Sequence, residues 1–352
     1  MPSRRIFKLS RRSVRFAREK QMPAAKTNHF SSTVLGRIAV LGATGLVGRH
    51  LVEALRAAGV GRLIATYHSR PAFDCPGVEW RHANLVQPDE ARAGLAGARV
   101  VLLCAGRIST SAALRRDPIS SVMDSLRIGA NVLQAAAEAE VERVVLLSSC
   151  TGYPQGAGVK QEAGMFAGDP PPAWFGVGWM HRFLEKQLEW YCAQLGRIGA
   201  GIALRPTLIY GPHDDFEPES AHFVPTFIRR VIAREQPIEV WGDGTQTRNL
   251  IHAADVASAI IAALSHVKGY AAYNVAAAQS VSVNEVLRTL LEIDGFDDAS
   301  VEHLADRSGG ASALAVSADA FRARFGWRPA LSLREGLRDT LDWYRRTAGS
   351  AR

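Results

Sequence analysis

The sequence predicts an α/β fold built on a doubly wound parallel sheet, with a smaller C-terminal lobe. Short apolar stretches rich in β-branched residues alternate with longer helical patterns between residues 37 and 149. The first stretch runs directly into a glycine-rich turn that opens a helix. Apolar strands that alternate with helices are typical of a parallel sheet covered on both faces, and right-handed crossovers wind it to both sides. The pattern is that of a Rossmann-type sheet.

The elements follow one another in chain order. A helix extends from the glycine-rich turn to about residue 58, and a longer one runs from about residue 120 to about residue 140. The predicted strands are 37–41, 62–67, 78–82, 98–105 and 142–149. Beyond about residue 210, proline, glycine and polar residues become more frequent, which indicates the second lobe. Returns to the sheet are predicted near "RPTLIY" and "AAYNVA".

The charge is unevenly distributed along the 352 residues. The net charge is +8, and residues 1–30 contain nine of the 42 Lys and Arg but one of the 34 acids, so the remainder is neutral. A nucleic-acid partner is therefore not expected for the folded part. The basic segment is open to four interpretations: a transit-type leader, an arm for nucleic acid or a membrane surface, an unstructured extension, or a segment upstream of a true start at Met22.

The remaining composition favours a cytoplasmic protein without a metal site. Four widely spaced cysteines (Cys75, Cys104, Cys150 and Cys192) show no C-x-x-C spacing, which is typical of reduced thiols. No H-E-x-x-H motif and no fixed-period repeat occurs in the sequence. It contains no apolar run of 18 or more residues and no secretory h-region.

The glycine-rich turn "GATGLVG" predicts a dinucleotide site. Its spacing is G-x-x-G-x-x-G, between a strand and a helix, where small residues let the backbone approach a pyrophosphate and the helix N-terminus supplies N–H donors. The cofactor-binding candidates here are Gly42, Thr44, Gly45, Leu46, Val47 and Gly48, joined by Ala105 at the end of the fourth strand. We accordingly interpret 35–210 as the dinucleotide-binding core, 211–348 as mainly a substrate-binding lobe, and 1–34 as a basic extension predicted to be disordered.

The end of the second strand bears on which cofactor binds. An acid at this point binds the ribose 2′-hydroxyl of NAD, but the sequence reads "ATYHSRP" and has no acid until Asp74. His68 and Arg70 can instead meet a 2′-phosphate, although both residues are also typical of a solvated loop. The charge argument favours NADP, with NAD as the alternative.

Beyond these features the sequence resembles the extended short-chain dehydrogenase/reductases, the NAD(P)-dependent epimerase/dehydratase family that acts on nucleotide sugars. The resemblance runs from about residue 37 to about residue 345 and rests on the order of "GATGLVG", "LLSSCTGYP", "LRPTLIYGP", "WGDGTQTRNLIHAADVASA", "YNVA" and "FGWRPALSLREGL". Within the family it is most similar to the GDP-fucose synthases, through "SLRIGANVL" and "YGPHDDF…AHFVPTFIRR".

The resemblance implies site residues. Ser149 falls where the family has a hydroxyl that bonds the reacting sugar oxygen, and Arg248 where it has an arginine on the substrate diphosphate. His222 occupies the place of a histidine acid in epimerisation. The partner cysteine of that reaction falls at Thr151, with Cys150 one residue away, which departs from the pattern of a 3,5-epimerase.

The sequence departs most from the family where the family has Tyr-x-x-x-Lys on the helix after the fifth strand. One register places Val177 and His181 at those two positions, and a second register places Phe175 and Trp179 there. Histidine with an ordinary pKa near 6.5 can bind ribose and pass a proton, so His181 is a candidate for both cofactor binding and catalysis. The other candidate acids are Tyr153, Cys150 and His222.

Two functions follow from these features. The favoured one is an NAD(P)-dependent nucleotide-sugar epimerase or reductase with an atypical site, which moves a hydride at the sugar C4 carbon. The alternative is a nucleotide-binding scaffold or sensor on the same fold, because valine performs no proton transfer. The resemblance also implies a nucleotide-diphosphate sugar as the ligand, and a homodimer.

Overall fold

A parallel sheet of seven strands lies at the centre of the computed structural model. The structure describes residues 36–107, 114, 117–156, 158–266, 268–305, 307 and 315–349. The predicted basic extension over 1–34 lies outside the described residues. Within the described part of the chain, no helix has the length and apolar character needed to cross a bilayer.

The secondary structure is as follows. The strands are β1 (Ile38–Leu41), β2 (Leu63–Tyr67), β3 (Val78–His82), β4 (Val100–Leu103), β5 (Arg143–Leu147), β6 (Ala200–Pro206), β7 (Leu208–Tyr210), β8 (Ile238–Trp241), β9 (Thr247–Arg248), β10 (Leu250–His252), β11 (Gly269–Val275), β12 (Val281–Ser282) and β13 (Val301–Leu304). The α-helices are α1 (Leu46–Ala57), α2 (Pro88–Leu95), α3 (Pro118–Glu138), α4 (Phe175–Glu189), α5 (Phe223–Ile232), α6 (Ala253–Ala263), α7 (Val283–Asp294), α8 (Asp319–Phe325) and α9 (Leu333–Gly349).

The strand order of the main sheet is β11-β6-β5-β4-β1-β2-β3, and its neighbours all run parallel. The order reverses between β4 and β1, so the connections that follow these two strands diverge to opposite sides of the sheet. A crevice opens at such a point, outside the carboxyl ends of the strands. The predicted doubly wound fold is confirmed, and the stretches "RPTLIY" and "AAYNVA" contribute to β6 and β11.

The burial of the strands explains why they stand out in the sequence as continuous apolar runs. The strands β1 and β4 are buried along their whole length, because helices cover both faces of the sheet. The fifth strand is shorter than predicted and ends at Leu147, because the chain turns there into a 3₁₀ turn at Cys150–Gly152. A second buried cluster outside the sheet is formed by apolar residues of α5, α7 and α9, together with Ile238 and Val240 of β8.

Candidate active site

A cleft of about 2400 Å³ lies along the carboxyl edge of the sheet. Its walls come from the glycine-rich turn, the ends of β2, β4 and β5, one face of α4, and the segment 206–248 of the second lobe. The predicted site residues Thr44, Gly45, Arg70, Ser149, Cys150, Tyr153, His181, His222 and Arg248 all line this cleft. Gly42, Leu46, Val47, His68 and Ala105 line it as well.

The glycine-rich turn has the shape of a cradle for a pyrophosphate. Gly42 has a φ of +83°, and a Cβ on it would lie 2.6 Å from the Cα of Ala105. A Cβ on Gly48 would overlap the carbonyl oxygen of Gly42, so this glycine lets α1 pack on the turn. Gly45 instead faces open space, because its Cβ would meet only one atom, at 3.4 Å. The free side of the turn therefore lies at the N-terminus of α1, where N–H groups can hold an anion.

His68 and Arg70 lie exposed at the end of β2. The Arg70 guanidinium donates to the carbonyl oxygen of His213 at 3.1 Å, and the Arg70 carbonyl accepts the Thr44 hydroxyl at 3.3 Å. Arg70 therefore connects the glycine-rich turn with the second lobe, a contact that spans 143 positions of sequence.

Ser149 lies two residues beyond the end of β5, at the start of the 3₁₀ turn, and lines the cleft. Its oxygen accepts the N–H of Thr151 at 3.2 Å and the Thr151 hydroxyl at 3.0 Å. Both contacts use the lone pairs of Ser149, so its proton can be donated to a ligand oxygen. Thr151 thus orients Ser149 through the 3₁₀ turn.

A buried polar network lies below Ser149. Arg205 and Glu185 form an ion pair with side chains only 3% and 0% exposed, and the Ser148 hydroxyl donates to Glu185 at 2.6 Å. Arg205 also donates to the Tyr153 hydroxyl at 3.2 Å, and that hydroxyl donates to the side-chain oxygen of Asn274 at 2.7 Å. The network links the residues that follow β5 with α4, β6 and β11, beneath the cleft.

The position of Tyr153 changes its predicted role. Its side chain is 1% exposed, and its hydroxyl is already bonded to Arg205 and Asn274. Burial raises the pKa of the phenol, although the Arg205 charge acts in the opposite direction. We therefore interpret Tyr153 as a residue that positions the network and not as a proton donor.

The cleft-facing side of α4 carries Val177 and His181, whereas Trp179 lies on the outer side and donates to Asp169 at 3.1 Å. Of the two registers, the one with Val177 and His181 thus places both residues at the cleft. No tyrosine occurs in α4, all of whose residues are described, and its single lysine, Lys186, is exposed and pairs with Glu189.

The expectation that His181 titrates near neutrality is wrong. Burial lowers the pKa of His181 to about 4, because the imidazolium would lose its hydration. Its Nδ1 is buried and has no hydrogen-bond partner among the described residues. At neutral pH His181 is therefore an uncharged ring that cannot replace the charge of a lysine, but it has a nitrogen available to a ligand.

Cys150 and His222 are poor acids in this environment. Burial raises the pKa of the Cys150 thiol to about 12, and its side chain packs against Ala276, Val316 and Ala318. Burial also lowers the pKa of His222, opposed by the charge of Asp215. His222 is consequently neutral near pH 7, a state that accepts a proton and does not release one.

The far wall of the cleft carries three arginines, Arg229, Arg230 and Arg248. Burial lowers the pKa of Arg248, whose side chain also donates to the carbonyl oxygen of Thr247 at 2.8 Å. Half-buried guanidinium groups on one wall suit a diphosphate. The indole of Trp241, 44% exposed, lies on the same wall and offers a flat face.

Sequence reasoning missed Arg229, Arg230, Trp241 and Asp214, which all line the cleft. The two arginines lie within α5, before Val231 and Ile232, and the sequence gives no indication that they line a cleft. Burial raises the pKa of the Asp214 carboxyl to about 7. No cluster of three or more histidine, cysteine or acidic side chains suited to a metal ion occurs among the residues that are described.

Comparison with known proteins agrees with this geometry. The model of the family described as NAD dependent epimerase/dehydratase matches residues 38–276. GDP-L-fucose synthase 1 of Arabidopsis thaliana is 28% identical over 326 residues, which cover 88% of this chain and 93% of that protein.

Two solved structures share the fold. The UDP-glucose 4-epimerase of Thermotoga maritima, crystallised with UDP-glucose, has a TM-score of 0.78 at 22% identity and covers 89% of this chain and 99% of its own. MoeE5, in complex with UDP-glucuronic acid and NAD, has a TM-score of 0.74 at 27% identity, with coverage of 89% and 100%.

Proposed function

Because the chain belongs to the NAD dependent epimerase/dehydratase family, we propose that it is a nucleotide-sugar epimerase or reductase that moves a hydride between a nicotinamide cofactor and the C4 carbon of the sugar. The family resemblance drawn from the sequence motifs is confirmed by the family match. The observation that supports the proposal best is that one cleft is lined by the glycine-rich turn, Ser149 and the three arginines.

The chain's residues fit a dinucleotide at one end of the cleft. The open side of the turn at Gly45 leaves room for a pyrophosphate, and the N-terminus of α1 faces it. When bound, the nicotinamide supplies or accepts the hydride. The protein's own task is then to hold the sugar oxygen and to balance its charge.

Ser149 is the proposed donor to that oxygen. In the reducing direction a hydride adds to the C4 carbonyl carbon, the C–O π bond breaks, and the oxygen takes up one proton from solvent water. The Ser149 hydroxyl, held by Thr151, donates a hydrogen bond to the oxygen as its negative charge develops. The neutral His181 ring contributes a hydrogen bond to ribose and not a charge.

We assign the diphosphate of the substrate to Arg248, with Arg229 and Arg230 nearby, and the nucleobase to the face of Trp241. His222 is the proposed base for a carbon acid on the sugar, since its neutral ring can accept a proton. The cofactor is proposed to be NADP(H), because His68 and Arg70 lie where a 2′-phosphate would extend from the end of β2.

A homodimer is part of the proposal. Helix α4 exposes Phe175, Trp179 and Phe183 to 50%, 42% and 56%, and Phe175 also lines the cleft. These residues recur at a four-residue spacing and form one apolar face. A second copy is the proposed cover for this face.

The first experiment identifies the nucleotides that the purified protein carries, by native mass spectrometry. A panel of nucleotide sugars is then incubated with NADPH or NADH, and nicotinamide absorbance and the sugar products are followed. We expect turnover, and Ser149→Ala should lower kcat about 100- to 1000-fold, as removal of one donor to a developing oxyanion does. Ser265→Ala, at an exposed serine in the turn that follows α6, is the control.

Two outcomes contradict the enzyme proposal. One is binding of nucleotide sugar and cofactor without any turnover, while the double variant Val177→Tyr with His181→Lys turns the substrate over; this favours the scaffold interpretation. The other is full activity of Ser149→Ala, which removes Ser149 from the mechanism.

A further inference from the structure

The loop after β7 reaches from the second lobe back to the cofactor end of the cleft. The carbonyl oxygen of Pro212 lies 3.2 Å from Nε2 of His50 on α1, and the carbonyl oxygen of His213 accepts the Arg70 guanidinium at 3.1 Å. This loop therefore contacts both segments that are proposed to hold the cofactor, the first helix and the end of β2.

Asp214, the next residue of this loop, has an unusual environment. Its Oδ1 accepts the N–H of Asp215 at 2.7 Å, whereas its Oδ2 is buried and has no hydrogen-bond partner among the described residues. The carboxyl lines the cleft close enough to Arg70 for their charges to interact. An acid therefore lies beside the end of β2 after all, although it comes from a position 144 residues further along the chain than Arg70.

We propose that Arg70 and Asp214 form an opposed pair that sets cofactor selectivity: the guanidinium attracts the 2′-phosphate of NADP(H), and the ionised carboxylate repels it. The inference rests on the proposed function, because it requires a nicotinamide dinucleotide in the cleft. Asp214 acts here through its charge and needs no direct contact with the phosphate. When it is protonated, Arg70 acts alone and the 2′-phosphate is favoured.

Asp215 and Arg70 are the charges that act on Asp214, and Asp215 is the stronger of the two. Burial lowers the pKa values of His50 and His213, so both rings are neutral near pH 7. On α1, Arg49 pairs with Glu53 at 3.2 Å. In the loop itself, Asp215 accepts the Ser220 hydroxyl at 2.5 Å and the N–H of Glu217 at 3.0 Å.

On α9, Asp339 lies 3.5 Å from His252. Trp343 of the same helix packs against the His213 ring, with 4.7 Å between the ring centroids. Asp339 thus adds one further acid behind the loop, and Arg346 is a charge that acts on it. None of these α9 groups is among the charges that act on Asp214, which are those of Asp215 and Arg70.

The pH dependence has a definite sign. Burial raises the pKa of Asp214 to about 7, so the carboxyl gains its negative charge as the pH rises through neutrality. Selectivity for the 2′-phosphate should then fall from about pH 6 to about pH 8. The phosphate itself also gains charge near its second pKa of about 6, which strengthens its attraction to Arg70. Only a variant without the Asp214 charge separates the two effects.

The test uses the cofactor fragments ADP-ribose and 2′-phospho-ADP-ribose, which bind without any hydride chemistry. Calorimetry gives the ratio of their Kd values at about pH 6 and about pH 8 for the full chain. In Asp214→Asn and Asp214→Ala the preference for the phosphorylated fragment should rise over this range, because the phosphate gains its second charge. Measured relative to Asp214→Asn at the same pH, the wild-type preference should fall about 3- to 10-fold, the effect of one carboxylate on a phosphate dianion at about 10 Å.

Arg70→Ala should abolish the preference for the phosphorylated fragment at about pH 6 and reverse it at about pH 8, where the Asp214 carboxylate still repels the phosphate. Asp74→Asn removes an exposed carboxyl from the same connection after β2 and should behave as the wild type. If both fragments bind but the ratio of their Kd values changes with pH in the same way in Asp214→Asn as in the wild type, the inference is overturned while the proposed function stands. If neither fragment binds any variant, the proposed function fails with it.

Discussion

Replacing Glu185 by glutamine tests the buried network below Ser149. The Arg205 guanidinium donates to both carboxylate oxygens of Glu185, at 2.6–3.2 Å, and the two side chains are 0% and 3% exposed. Glutamine has the same shape but no charge, so the guanidinium would remain buried without a counter-ion. Breaking such a pair costs about 3–5 kcal/mol.

Urea denaturation followed by circular dichroism measures this loss. With a slope of about 3 kcal/mol per molar urea, the midpoint should fall by about 1–1.7 M. Glu189→Gln on the same helix is the matched control. It breaks the pair with Lys186, whose two side chains are 58% and 36% exposed, and exposed pairs contribute about 0–1 kcal/mol.

A second substitution tests whether the unpaired charge of Arg205 causes this loss of stability. Adding Arg205→Met to Glu185→Gln removes the uncompensated charge and should restore part of the lost stability. The recovery should be incomplete, because Arg205 also donates to the Tyr153 hydroxyl and to the carbonyl oxygen of Glu162. A Glu185→Gln variant as stable as Glu189→Gln would refute this reasoning, as would an unrelieved loss in the double variant.

Three further predictions concern the cleft. Arg248→Ala should weaken UDP or GDP binding about 10- to 150-fold, which corresponds to the loss of a charge-assisted contact of about 1.5–3 kcal/mol. Unchanged affinity in calorimetry would show that Arg248 lines the cleft without binding the diphosphate. Gly48→Ala should abolish tight cofactor binding in a fluorescence titration, because its Cβ would overlap the Gly42 carbonyl. Gly61→Ala, whose Cβ would have no atom within 4 Å, should bind the cofactor normally in the same titration. The free energy of unfolding should fall as the pH drops from about 6.5 to about 4, since the unfolded chain protonates His181 before the folded one does. His181→Gln should make this fall shallower in urea titrations, and an identical pH profile would show that His181 is not buried in the neutral form.

The motifs that identify the family are readable from the sequence because each is local. A strand buried on both faces is a continuous apolar run, and the turn at Gly42 needs small residues whatever the rest of the chain does. The positions of β1 to β5 and the family therefore follow from neighbouring residues. Strand ends are less well determined, as at Leu147, because the residue that stops a strand is set by what packs against the turn beyond it.

The chemistry of the cleft depends instead on contacts between distant segments. Sequence alone leaves His181 with an ordinary imidazole pKa and Tyr153 with a free hydroxyl. The fold buries both, lowers the pKa of the first to about 4, and bonds the second to Arg205 and Asn274. In the same way only the fold brings Asp214 next to Arg70. Burial and charge–charge distance are properties of the packed chain, so the sequence determines which groups are present, and the tertiary structure decides which of them can carry a charge or a proton.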